Sequence, residues 1–317
     1  MTAYVIRRVL WLIPLLWAVA TITFFLMHAV PGGPFDQEKP VPPAIKKNLE
    51  ERYNLDEPLF KQYGIYLKDL ATGDLGISYK TNRDVTDTIR EGFKISLQLG
   101  LVAFLFAIVF GMTLGIVAAV YHNGVLDYLG VFFATAGAAM PSFILATFLV
   151  IIFSVKLGWF DVLGWGGPAW SEAYNPGAYD WRKMVLPVLS LGVLPAAFIA
   201  RVTRASMLEV LNQDYVRTAR AKGLREYNVV LRHSVKNAMI PVLTIAGPLF
   251  AFLITGSFIV ERAFQIPGVG RRFVDAVFVR DYGIIMGTTL FFAAIVAIMN
   301  LLVDILYAYV DPRIRYS

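Results

Sequence analysis

The chain is predicted to be an all-α integral membrane protein of six spans. Two features of the sequence say so. Its 317 residues are 57% hydrophobic and only 16% charged, with a mean hydropathy of +0.60, well outside the balance of soluble domains. The charged residues also leave six long uncharged runs, and a helix needs about 20 mainly apolar residues to cross a bilayer core.

The runs are Val9 to Phe35, Ile95 to Leu126, Tyr128 to Val155, Met184 to Ala200, Asn237 to Val260 and Tyr282 to Val303. Five are comfortably long enough. The fourth has only 17 uncharged residues and contains Pro187 and Pro195, so it spans with Arg201 snorkelling at its end. In the first, the apolar stretch Val9 to Leu26 exceeds the roughly 7–15 residues of an ordinary signal-peptide core and no A-x-A site follows it. A retained first helix is expected, with the chain dividing into residues 1–30, a 31–94 loop and a 95–317 five-helix core.

Six spans put both termini on one side. With the N-terminus cytoplasmic, 12 basic residues fall inside and 17 outside, but ten of the latter lie in the 64-residue first loop. Loops beyond about 60 residues translocate largely regardless of charge. Discounting that loop leaves 12 against 7, which favours cytoplasmic termini.

Chemistry is scarce. His28, His122 and His233 are far apart and there is no cysteine, so thiolate metal sites, disulfides and cysteine nucleophiles are excluded. No phosphate loop and no nucleophile elbow occurs. Within the spans the only acid expected to be buried is Asp304. Its place near a span end suits pairing with Arg201 or Arg204 better than a proton relay. Gly111 and Gly115 form a G-x-x-x-G, compatible with packing inside the bundle, subunit contact or pore lining, and "ATAGAAMPS" around Pro141 offers a small face and a kink. Phe133 and Phe143 are candidates for a pathway lining, against a lipid-facing or core alternative.

The stretch "DYVRTARAKGLREYNVVLRHSVKNAMIP", residues 214–241, holds six Lys or Arg against two acids. From Ser206 to Lys222, Leu208, Leu211, Tyr215 and Ala219 share one helical stripe while Arg217 and Arg220 share another, and Gly223 follows as a helix stop. Such a basic helix could lie on anionic lipid or simply obey the positive-inside rule. Its Ala-Arg-Ala-Lys-Gly core is too small to anchor deeply in lipid and suits insertion into a protein groove.

"DYVRTARAKG" resembles the cytoplasmic coupling loop, the E-A-A-x-x-x-G element, of binding-protein-dependent ABC importer permeases, in the form used by their peptide and nickel branch. Arg217-Thr218-Ala219 stand for the E-A-A portion and Gly223 for the glycine; Arg217 replaces the usual acid, Thr218 the first alanine, and the later I-x-L-P portion is missing. The resemblance extends over nearly the whole chain, through "YVIRRVLWLIPLLWAVATITFFLMHAVPGGPF", "LDEPLFKQYGIYLKDLATGDLGISYK", "MPSFILATFLVIIFSVKLGW", "RDYGIIMGTTL" and "VDILYAYVDPRIRY". The segment "PGGPFDQEKPVPPAI" is particularly similar to the oligopeptide-permease B subunits, in preference to dipeptide or nickel relatives.

The resemblance implies the type I ABC importer permease (MetI-like) fold with a long extracytoplasmic loop after helix 1, in a bacterial or archaeal cell membrane. It implies a coupling loop over 204–236, with Asp214, Tyr215, Arg217, Thr218, Ala219, Arg220, Lys222 and Gly223 meeting an ATPase. The implied partners are a homologous second permease, two ABC ATPases that bind ATP and Mg, an extracytoplasmic peptide-binding protein and membrane lipid, with no nucleic acid. This chain itself would hold no cofactor and catalyse nothing. ATP binding would close the two ATPases, displace the Arg217–Gly223 helix and switch a central cavity between the two sides. A secondary carrier, channel or non-transporting scaffold is the competing class; no inverted repeat and no chain of intramembrane acids supports a carrier.

Overall fold

The computed structural model describes residues 2–35, 43–166 and 180–310. These residues form α-helices and two π-helical turns, with a single isolated β-bridge between Ile77 and Asp84. Residues 36–42 of the proline-rich segment, Arg313 and Arg315 lie outside the described residues.

Five helices are long and apolar enough to cross a membrane: α1 (Thr2–Ala29), α4 (Val85–Val120), α7 (Arg182–Leu211), the composite helix over 226–263 and α13 (Tyr282–Val310). The sixth is a broken pair. α5 (Val125–Ala139) meets α6 (Ser142–Leu149), continued by a π-turn (Val150–Lys156), at 107°. The expected kink at Pro141 is a sharp corner, because Pro141 sits at ψ 141° as the cap of α6 and Met140 is extended before it.

The shortest uncharged run became the most deeply enclosed span. α7 continues through Pro187 and Pro195 for 30 residues, and 61% of its apolar stretch is buried inside the chain, against 11% for α1. Charge-free length understates it because Arg201 and Arg204 lie on the same continuous helix. It packs along α4, whose Leu99, Ala103, Ala107, Gly111, Gly115 and Ala119 recur every fourth residue and are all buried. A Cβ on Gly111 would lie 2.5 Å from the Ala196 carbonyl oxygen, and one on Gly115 would lie 2.6 Å from that of Ala200. The G-x-x-x-G is thus packing between two helices of this chain.

α4 also starts ten residues before its uncharged run. Asp84 caps it by accepting from the Thr86 and Asp87 amides at 2.6 and 3.4 Å, so Val85 to Lys94 belong to the helix rather than to the preceding loop. The described residues of that loop after position 42 include α2 (Pro43–Arg52), α3 (Leu59–Ala71) and the 72–84 turns. α3 packs on α1 through Tyr63 and Tyr66 against Phe24. The result is a small cap over one end of the bundle.

Asp304 is 22% exposed at its side chain, whereas three acids among the described residues are buried outright. Asp127, between the second and third uncharged runs, is 2% exposed, Glu261 0% and Asp281 3%. The expected partner of Asp304 is also corrected. It pairs with Arg8 at 3.0 Å, because α1 lies against α13, while Arg204 is held by Asp127 and the Arg201 guanidinium stands 5.9 Å from the Phe198 ring.

Glu261 lies at the base of the excursion between the last two spans. α10 (Lys236–Ile254) breaks at Gly256, φ +93°, and the chain restarts as α11 (Phe258–Ala263) and α12 (Val269–Val279). Glu261 Oε1 accepts from Ser96 Oγ on α4 at 2.7 Å, and Oε2 accepts from the Arg271 amide at 3.0 Å. Ser96 Oγ in turn accepts from the Val269 amide at 2.9 Å. A buried carboxylate is tolerable only when its oxygens are occupied in this way.

Candidate functional site

The basic segment folds as a short helix standing off the ends of two spans. α7 stops at Leu211, the chain turns at Asn212 and Gln213, and α8 (Asp214–Ala221) begins. The stripe expected from Leu208 through Ala219 is therefore split between two helices. Eight residues cannot hold a helix in water by themselves. The packing that holds α8 is Val216, 0% exposed, and Ala219, 5%, against Val229, with Val210 and Leu211 of α7 around them.

Gly223 ends α8, at φ +74°. Its amide donates to the Arg220 carbonyl at 2.9 Å and the Leu224 amide to the Ala219 carbonyl at 3.4 Å, the two bonds of a glycine-terminated C-cap. A Cβ at Gly223 would meet nothing within 4 Å. Glycine is required here by backbone angle, not by crowding.

The other seven residues singled out from sequence divide by what they touch. Ala219 faces inward, packed with Val216 and Val229. Tyr215 Oη accepts from Asn237 Nδ2 at 2.7 Å. Thr218 Oγ1 donates to the Asp214 carbonyl at 2.9 Å. Arg220 forks onto Glu226, Nε to Oε2 at 3.1 Å and Nη2 to Oε1 at 2.7 Å, and this bond raises the guanidinium pKa further. Arg217 pairs with Asp214 at 2.6 Å across a fully solvated surface, where such a bond adds little stability. Among the described residues Lys222 has no ion pair. The outward face therefore presents Asp214, Arg217 and Lys222.

Sequence reasoning missed Val216, Val229 and Glu226. Val216 could have been found at i−3 from Ala219. Glu226 follows Arg220 by six residues, no helical spacing, and reaches it only because Gly223 reverses the chain.

Below α8 the chain re-enters the bundle through α9 (Glu226–Asn228) and a π-helical turn (Val229–Val235) that runs directly into α10. Ser234, fully buried, donates to the Val229 carbonyl five residues back at 3.1 Å. The helix thus carries an extra residue per turn between α8 and the span it leads into. Phe133 and Phe143 are 58% and 49% exposed. Among the described residues no group of three or more His, Asp or Glu is placed to hold a metal. What α8 offers is an exposed, charged surface.

A family model described as the binding-protein-dependent transport system inner membrane component matches residues 111–316, and an N-terminal model of the same transport systems matches residues 1–100. The chain is 44% identical over 316 residues to the protein named dipeptide transport system permease protein DppB of Bacillus subtilis, covering 99% of this chain and 98% of that one. It is 42% identical to the oligopeptide transport system permease protein OppB of Haemophilus influenzae and 40% to that of Escherichia coli K12, each over the full length of both chains. Among solved structures, one described as inward-facing conformations of the MetNI methionine ABC transporter superposes with a TM-score of 0.57 at 18% identity, covering 71% of this chain and 97% of that one. An amino acid ABC transporter superposes at 0.51 and 16% identity, covering 72% and 95%. At those identities the two structures establish the fold.

Proposed function

The chain belongs to the family of binding-protein-dependent transport system inner membrane components, and from that premise we propose that it is the permease subunit of an ATP-driven importer of oligopeptides. It forms half of a translocation pathway, the other half coming from a homologous second permease. Two ATPase subunits bind ATP and Mg, and an extracytoplasmic binding protein delivers the peptide. Both termini and α8 face the cytoplasm, and the α2–α3 cap faces outside, where it is available to the binding protein.

The observation that carries this reading is α8 itself. It is held to the ends of α7 and the π-turn by buried Val216 and Val229 and presents exposed Asp214, Arg217 and Lys222 outward. A groove on an ATPase that grips this face moves α7 and α10 together, because both continue from the same packed joint. The substrate reading is supported by relatives named for oligopeptides at 40–42% identity. The relative named for dipeptides at 44% favours a second reading, import of dipeptides by the same machinery.

Uptake of labelled peptide into proteoliposomes holding the whole assembly tests both. Uptake should require ATP and the binding protein, and the Arg217→Glu, Lys222→Glu double variant should abolish it while the assembly stays intact. Full uptake by that variant sinks α8 as the joint. Gly223→Trp, also expected to stop transport, disturbs backbone and surface together because of the positive φ, so the charge reversal is the cleaner probe. Competition by dialanine against a pentapeptide separates the two substrate readings.

A further inference from the structure

An open cleft of about 320 Å³ lies between α1, α3, the start of α13 and the chain around residues 52–54 and 74–79. That volume falls at the lower end of small-molecule sites, roughly 300–1,000 Å³. None of its lining residues belongs to α8 or to the joint beneath it.

Its walls have a definite chemistry. Phe24, Tyr53 and Tyr66 supply aromatic surface, Asp69 and Asp74 supply two carboxylates, and Arg52 is the one arginine or lysine among the described lining residues. Arg52 donates to Asn82 Oδ1 at 2.9 Å, with its guanidinium 5.8 Å from the Tyr53 ring centroid. The Asp69 carboxylate accepts no hydrogen bond and makes no ion pair among the described residues, and Asp74 accepts only from the Gly76 amide, at 2.7 Å. The Tyr66 hydroxyl is buried without a hydrogen-bond partner among the described residues, a state that folded proteins seldom leave unexplained. Burial pushes that phenol up to about 12, so it remains a neutral donor and acceptor at physiological pH.

Two carboxylates with spare acceptor capacity beside aromatic faces select a compact cation. An ammonium group donates to carboxylates and is attracted to ring faces within about 6 Å. Arg52 makes no ion pair with either acid among the described residues, and with one donor on Asn82 it keeps others for a carbonyl or carboxylate at the other end of the ligand.

We propose that this cleft binds the free amino end of a short peptide, as a site on the cap separate from the translocation pathway. The choice of a peptide as the bearer of the ammonium rests on the import reading above; selection of an ammonium group does not.

Calorimetric titration of dialanine, and separately of N-acetyl-dialanine, into the purified assembly without binding protein or nucleotide tests it. Dialanine should bind, and acetylation should weaken binding by about tenfold or more, the scale of a lost charge-assisted hydrogen bond. Asp69→Asn, near-isosteric at a partly exposed position, should do the same, with Asp74→Asn as a second probe should the first variant assemble poorly. Absence of binding, indifference to acetylation, or unchanged affinity in both variants overturns the site, the last because the peptide would then be bound elsewhere. ATP-dependent uptake measured in parallel keeps the two claims apart: loss of uptake with the calorimetry intact would sink the importer reading alone.

Discussion

Arg204 on α7 grips Asp127 at the start of α5 through two hydrogen bonds, Nε to Oδ1 at 2.6 Å and Nη2 to Oδ2 at 2.8 Å. The same carboxylate also accepts from the Asn123 amide at 3.0 Å and stands 3.1 Å from His122 Nδ1. One acid thereby closes the α4–α5 turn and fastens it to the central helix. The side chain of Asp127 is 3% exposed and that of Arg204 27%, so the pair sits between a solvated surface pair and a fully buried one.

Asp127→Ala should destabilise the assembled protein by about 2–3 kcal/mol, since it strands a partly buried guanidinium and a turn amide together. Thermal unfolding in lipid nanodiscs measures it. The exchange Asp127→Arg with Arg204→Asp should recover only part of the loss, because the Asn123 amide still lacks its acceptor.

Replacing Gly111 should be far worse than replacing Gly223. Gly111→Leu must push α7 away, as even a Cβ would lie 2.5 Å from the Ala196 carbonyl oxygen, and the protein should fail to accumulate in the membrane. Gly223→Ala has open space and pays only for the left-handed backbone, about 1–2 kcal/mol. Expression and detergent-resistant monodispersity of the two variants should differ plainly.

Glu261→Ala should loosen the α11–α12 excursion from α4, because it leaves the Ser96 hydroxyl and the Arg271 amide without their shared acceptor. Hydrogen exchange should rise at residues 256–271 while α7 is unaffected. Glu261→Gln keeps an acceptor for Ser96 and should be milder. Gly268→Ala should resemble the alanine variant, since its Cβ would collide with the carboxylate.

Val216→Asp should uncouple transport without unfolding the bundle. It places a charge in the small core that α8 shares with Val229, so α8 should detach while α4 and α7 stay packed. The expected result is unchanged thermal stability of the spans with peptide uptake lost and ATP hydrolysis no longer responsive to the peptide-loaded binding protein. Val216→Ala, which removes two methyl groups, should cost about 1–2 kcal/mol locally and only weaken coupling.

Local signals carried much of this protein. Apolar runs near 20 residues marked the spans, because a helix that satisfies its own backbone is the simplest way for one segment to cross lipid. The concentration of Arg and Lys over 214–236 marked the segment that became α8, and Gly223 marked its end, since both follow from residue type and near-neighbour spacing. Where the runs misled, the cause was also local. Charge-free length missed Val85 to Lys94 on α4 and Arg201 to Leu211 on α7, because a helix continues past its first charged residue whenever its backbone has no reason to stop.

What sequence determined by itself was therefore the class of the protein, the number of its spans and the position of one basic segment between two of them. Only the tertiary structure decided which charges meet. Arg8 finds Asp304, Arg204 finds Asp127 at a separation of 77 residues, Ser96 finds Glu261 at 165 and Ser78 finds Asp281 at 203. Each pairing depends on which helices lie side by side, and that is set by the summed packing of small residues such as Gly111, Gly115 and Ala196. No spacing rule along the chain encodes a contact between residues that far apart; it exists only once the helices have chosen their neighbours.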